Sequence, residues 1–181
     1  MNDRRTELLE LLDRSGASLY ALLTRLTLRQ DVAEELMQDL FLKLHGAKDQ
    51  GGIDCWHAYA RRTAINLAFD WRRRERSRRS CPLDESLECV SQAGSPLNKL
   101  IESEELEQVL AAIGRLHGPS REAFVLRYIQ QESYEGIARQ LGKTPHHVRA
   151  LCSRAMGALR GMLGEKPLSM DEKEVQHVED E

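Results

Sequence analysis

Between Lys143 and Leu163 the chain places four basic side chains, Lys143, Arg149, Arg154 and Arg160, and no carboxylate. Thr144, His146, His147 and Ser153 lie among them, so donors and acceptors stand beside positive charge. Such side chains hydrogen-bond to base edges in a DNA groove and neutralise phosphates. A second set, Arg62, Asn66, Phe69, Asp70 and Arg73, follows helical spacings of i, i+4, i+7, i+8 and i+11. Arginines and an amide with an aromatic between them are suited to holding a phosphate backbone and stacking or hydrogen-bonding unpaired bases. A third set, Glu35, Gln38, Asp39 and Leu42, puts acids and a leucine on one helical face, a combination that suits a protein partner and equally fits a solvated face.

All three sets bind and none makes or breaks bonds. There is no nucleophile–base pair and no phosphate-binding glycine loop. Gly142-Lys143-Thr144 lacks the first Walker glycine, because Ile137 occupies that position within a helical pattern. Cys55, Cys81, Cys89 and Cys152 form no C-x-x-C pair, so they read as reduced thiols. Neither a metal nor a cofactor is expected, and no enzymatic role.

The elements that position these residues are helical. Ile137, Ala138 and Leu141 give one apolar stripe, and Val148, Leu151, Cys152, Ala155 and Leu159 a second. Gly142 stands where a left-handed C-cap favours glycine, and Thr144-Pro145 supplies an N-cap and a first-turn proline. This is the punctuation of a helix-turn-helix, with His146, His147, Arg149, Ala150, Ser153 and Arg154 facing outward. A solvated helical hairpin would share the periodicity; the turn chemistry and charge sign together favour DNA.

Upstream, "DVAEELMQDLFLKL" opens with Asp31 as N-cap and Glu34 three residues later, resembling a capping box. Val32, Leu36, Leu40 and Leu44, helped by Met37 and Phe41, form its core stripe. From Trp56 to Arg79, core positions fall at Trp56, Tyr59 or Ala60, Thr63 or Ala64, Leu67 and Trp71, the two tryptophans reading as core rather than as base-stacking residues. The preceding loop, "HGAKDQGGIDC", has three glycines and suits the cupping of a flipped base.

The 181 residues are 41% hydrophobic and 30% charged, as in a soluble globular chain. No apolar run has membrane-spanning length and no signal peptide is evident, so a cytoplasmic protein without membrane insertion is expected. The net charge of −3 sums unlike segments. Residues 61–79 carry eight arginines against Asp70 and Glu75, whereas residues 165–181 carry seven acids against two lysines. With no alternating β-branched runs, the expected fold is all-α: two small helical domains, at 1–79 and 99–163, the second containing the helix-turn-helix. A flexible linker over 80–98 joins them, beginning with "SCPLDESLECVSQAGSP", and an acidic, disordered tail over 164–181 follows.

In this order the segments resemble sigma-70 factors of the extracytoplasmic-function (ECF) type, the specificity subunits of bacterial RNA polymerase. "DVAEELMQDLFLKL" is similar to the family's core-binding helix of region 2, and "WHAYARRTAINLAFDWRRRERSRR" to its promoter-melting helix. "HGPSREAFVLRYIQQESYEGIARQLGKTPHHVRALCSRAMGALRGML" is similar to region 4, including R-E-x-F-x-L-R-Y at Arg121 to Tyr128. The resemblance implies that Glu35, Gln38, Asp39 and Leu42 bind core RNA polymerase. It implies that Arg62, Asn66, Phe69, Asp70 and Arg73 engage the minus-10 element as its strands separate. Lys143, Thr144, His146, His147, Arg149, Ser153 and Arg154 would read the minus-35 element of promoter DNA. An anti-sigma protein is a further partner often found in the family. The chain departs from the pattern at "LHGPS", where Leu-Pro is usual, and at His147 and Ala150, where threonine and serine are common. A stand-alone helix-turn-helix regulator with an amino-terminal dimerisation or sensing domain is the alternative, and a partner-binding adaptor with incidental basic faces a third class.

Overall fold

Leu19, Leu22, Leu23 and Leu26 repeat at three and four residues along one side of the first helix, and each is at most 2% exposed. That stripe organises the amino-terminal unit. The computed structural model describes residues 3–47, 53, 55–79 and 96–164, and its elements are all helical. Helix α1 (Asp3–Thr27) packs against α2 (Gln30–Ala47) and α3 (Trp56–Arg79). From α2 the core receives Val32, Ala33, Leu36, Leu40 and Leu44; from α3 it receives Ala60, Ala64, Ile65, Leu67 and Ala68. Met37, Trp56, Tyr59 and Trp71 pack partly buried around it. Phe41, expected to help the core stripe, is instead 37% exposed. It lies one residue, about 100° of helical turn, past Leu40, which already fills the inward position.

The turn after α1 is tight. Leu28 adopts a left-handed φ of 61°, a conformation that costs a residue with a Cβ about 1–2 kcal/mol. Its backbone N–H donates to Thr24 O at 2.8 Å, while the Thr27 hydroxyl donates to Leu23 O at 2.8 Å and accepts from Arg29 N at 3.3 Å. These bonds satisfy the helix end and hold the strained residue in place.

The second unit begins with α4 (Pro96–Arg115), three residues ahead of the expected boundary, because a proline is tolerated in the first helical turn. The unusual "LHGPS" starts a new helix, α5 (Gly118–Phe124), with proline in its first turn and the His117 carbonyl accepting from Arg121 N at 2.8 Å. A π-helical turn, Val125–Ile129, follows at once. In it Gln130 N donates to Val125 O at 3.1 Å, one residue further than an α-helix allows. Helices α6 (Tyr134–Leu141) and α7 (Pro145–Leu163) complete the unit, and α7 packs against α4, α5 and α6.

The two units are in contact, α3 lying against α4 and α6. Residues 80–95 of the expected 80–98 linker, most of the glycine-containing loop, and residues 165–181 of the expected 164–181 tail lie outside the described residues. Among the described residues no helix is long and apolar enough to cross a membrane.

Leu23 has no exposed surface at the centre of the three-helix core. Leu23→Ala should therefore cost about 2–5 kcal/mol. A lower urea midpoint with an unchanged slope is the expected result.

Candidate nucleic-acid interface

The corner between α6 and α7 is built from its capping residues. Ser133 Oγ accepts from Gly136 N at 3.0 Å and opens α6. Gly142 closes it at φ 62° and ψ 38°, and Lys143 N donates back to Ala138 O at 2.9 Å. Thr144 Oγ1 then accepts from His147 N at 3.2 Å, with Pro145 in the first turn of α7. Val148, Leu151, Cys152, Ala155 and Leu159 all point inward. Burial pushes the Cys152 thiol up from its ordinary value, which suits a packing role.

With that face buried, Thr144, His146, His147, Arg149, Ser153 and Arg154 are exposed, and Lys143 and Ala150 are half-buried. Arg149 and Arg127 both stand over the Tyr134 ring, at 5.0 and 4.6 Å from its centroid. Arg149 also lies 3.6 Å from the Glu135 carboxylate. Arg154 Nε donates to Ala150 O at 3.2 Å on its own helix. The Tyr134 platform escapes a sequence reading, since it joins residues on two different helices.

On α2, Glu35 and Gln38 are exposed and Asp39 is half-buried. Leu42 is 67% exposed, and the outward turn of Phe41 beside it enlarges the apolar part of this acidic patch. The structure thus brings the α2 residues together on one accessible surface.

The α3 set is arranged differently from the open face expected of it. Arg62 Nε donates to both carboxylate oxygens of Glu122, at 2.9 and 3.2 Å. Asn66 Oδ1 accepts from Arg121 at 2.9 Å, and the same guanidinium stands 5.2 Å from the Phe69 ring centroid. Phe69 is only 3% exposed, a correction to its expected outward position. Its ring faces Gly114 of α4 so closely that a Cβ there would come within 3.2 Å. Asp70 pairs with Arg73 at 3.2 Å along the helix.

Several residues of this surface went unforeseen. Arg61 pairs with Glu132 and donates to Gln140 Oε1 at 3.1 Å, while Gln140 Nε2 donates to Glu132 Oε2 at 3.1 Å. Arg72 pairs with Glu107 and donates to Leu26 O at 3.1 Å. Arg25 of α1 reaches Ile129 O at 3.0 Å. Burial pushes the Glu122 carboxyl up, against the opposing pull of Arg62, Arg121 and Lys143. Burial, with Arg61 nearby, pushes His57 down, and Glu132 partly offsets this. Among the described residues no cluster of histidines, cysteines and carboxylates forms a metal site.

The family model described as Sigma-70 region 2 matches residues 11–78, and that described as Sigma-70, region 4 matches residues 106–159. The chain belongs to the sigma-70 family. It is a sigma factor, in a family of DNA-binding proteins of transcription initiation. No curated protein sequence matches it. Among solved structures it is similar to the sigma factor RpoE in complex with the anti-sigma factor NepR from Bartonella quintana. The identity is 24% over 92% of this chain and 100% of that one, with a TM-score of 0.45. It is also similar to CnrH in complex with the cytosolic domain of CnrY, at 22% identity over 88% of each chain and a TM-score of 0.50. The likeness to CnrH is one of fold.

Gly142 has room for a Cβ but a left-handed φ, so Gly142→Ala should cost about 1 kcal/mol from backbone strain. Thr144→Ala should cost about as much by leaving His147 N–H without its cap. Chemical denaturation of the two variants checks both values.

Proposed function

We propose that this sigma factor is of the ECF type, binds core RNA polymerase, and directs promoter recognition, DNA melting and initiation. The observation that carries the reading is the order and spacing of the two family matches. Regions 2 and 4 occur in one chain with only residues 79–105 between them, too short a stretch for another ordinary domain.

The division of labour follows from chemistry. Capturing unpaired bases offsets the few kcal/mol lost when each step unstacks, and Arg62, Asn66, Asp70 and Arg73 of α3 supply the needed polar groups. Recognition of duplex DNA at the minus-35 element needs only groove and phosphate contacts, from Lys143, Thr144, His146, His147, Arg149, Ser153 and Arg154 on the α7 side. Glu35, Gln38, Asp39 and Leu42 form the polymerase-docking patch, an apolar centre beside acids. Polymerisation itself belongs to the core enzyme. CnrH is solved with the cytosolic domain of CnrY, and a protein partner, on the family resemblance an anti-sigma protein, is proposed here as well.

A fluorescence-anisotropy titration with bacterial core RNA polymerase tests the docking patch. The parent chain should bind stoichiometrically, and alanine at Glu35, Gln38 and Asp39 together should weaken binding by roughly tenfold or more, equivalent to about 1.4 kcal/mol. Equal binding would remove the assignment, and no binding by the folded parent would favour a stand-alone regulator. Arg149→Ala should cost about 1–3 kcal/mol on a bound promoter duplex and relax preference at one base position, as read by competition among duplex variants.

A further inference from the structure

A groove of about 480 Å³ runs between α3, α4 and the end of α7, a size that suits a few side chains or a small molecule. Trp71, Ala111, Met162 and Leu163 give it an apolar wall, and Arg76 and Arg115 add positive charge. Met162 and Leu163 are 38% and 36% exposed, so apolar surface is left uncovered where α7 ends. Arginine is concentrated beside it. Residues 71–79 hold six arginines against one glutamate, and Arg73, Arg74, Arg76 and Arg78 are exposed. Arg73 pairs with Asp70 and Arg78 with Glu75 along the helix, exposed contacts of the kind that exchange at little cost.

The described part of the second unit ends at this same place. Leu163 lines the groove, and Gly164 follows at φ 71° and ψ 151°, a conformation essentially restricted to glycine, which breaks the helix line at the groove's edge. Beyond it the sequence reads Pro-Leu-Ser-Met at 167–170 and then Asp171, Glu172 and Glu174, within a segment of seven acids against two lysines over 165–181. An apolar wall flanked by arginines therefore adjoins a stretch of chain with apolar residues first and acids next. Leu168 stands four residues past Gly164, at most about 14 Å of extended chain.

We propose that this groove is the docking site of the chain's own segment 165–181, with Leu168 and Met170 covering Trp71, Met162 and Leu163, and the acids at 171–174 meeting the exposed arginines of α3. The tether favours this occupant over a separate molecule. A segment attached at the rim by a few residues is held at an effective concentration on the order of millimolar, so weak intrinsic affinity suffices to fill the groove. Carboxylates exchange the intrahelical partners of these arginines for charge-assisted hydrogen bonds of their own, and salt screens them because the site is exposed.

The intact chain tests this in two ways. A fluorescent peptide with the sequence of residues 165–181 is titrated by anisotropy at low salt into the parent and into the combined variant Asp171→Asn, Glu172→Gln and Glu174→Gln, with circular dichroism to establish that both are folded. Because the parent's groove holds its own segment, the variant should bind the peptide roughly tenfold or more tighter, and adding Arg74→Gln and Arg76→Gln should abolish the gain. Separately, Arg76→Lys keeps the charge and supplies an amine. Carbodiimide coupling followed by peptide mapping of the monomer should join that amine to a carboxylate within 165–181, and high salt should suppress the link. Equal peptide binding by parent and variant overturns the proposal, as do amine links confined to Glu75 and Glu107. Links to residues 80–95 would instead make that segment the occupant, and links found only in a covalent dimer would make it a second copy of the chain; either result overturns the proposal as well.

Discussion

Placing an arginine beside a carboxylate at an interface exchanges hydration for charge-assisted hydrogen bonds, and the exchange stays near balance only while both partners remain. Helix α3 is held under this condition at Arg61, Arg62 and Arg72, while Arg73 and Arg78 pair with Asp70 and Glu75 along the helix itself. One side meets the leucine-rich surfaces of α1 and α2, and the other presents Arg61, Arg62 and Arg72 to glutamates of the second unit. Without those glutamates the three guanidiniums would lose their anionic partners, and the Phe69 ring against Gly114 and the Asn66–Arg121 bond would remain as contacts to the second unit. With them, two units joined through 80–95 acquire a defined relative placement.

The apolar interior sets the terms on which this happens. Ala60, Ala64 and Ala68 let α3 approach its neighbours closely, which fixes the rotation of the helix and hence the direction of its arginines. In the second unit the π-helical turn adds one residue before α6, and Gln131 follows at φ 57°. Arg127 donates to the Glu132 carbonyl at 3.1 Å across that turn. A bend made of these parts brings the Glu132 side chain round to Arg61. The charge complementarity between units is thus a consequence of backbone geometry that neither unit displays locally.

That distinction explains what could be read from the residues and what could not. The corner at Gly142, Thr144 and Pro145 was legible because caps and turns are local chemistry, with the side chain and the group it satisfies a few residues apart. The stripe from Val148 to Leu159 was legible because periodicity shows burial directly. Phe41 and Phe69 went the other way from expectation. For Phe41 the reason lies in the exact rotation of α2, with Leu40 filling the inward position. For Phe69 it lies in a glycine on a distant helix that leaves space for a ring. Arg62 and Glu122 stand 60 residues apart and Arg61 and Glu132 stand 71 apart, distances over which no spacing rule operates. The family resemblance foretold the two regions and their order, while the contacts between them are carried by pairs that only the folded chain brings together.

The tyrosine at the start of α6 has a consequence for the proposed minus-35 contact of Arg149. Arg149 has the Tyr134 ring beneath it and Glu135 nearby, so its long side chain samples fewer rotamers than an arginine projecting into water. A side chain already narrowed to a few conformations loses less entropy when it meets its target. It also has less freedom to swing aside and rescue a poor fit, so a base presenting the wrong hydrogen-bonding edge leaves its donors unmet rather than redirected. In the proposed contact, restriction at Arg149 would convert a generic positive charge into a selective one.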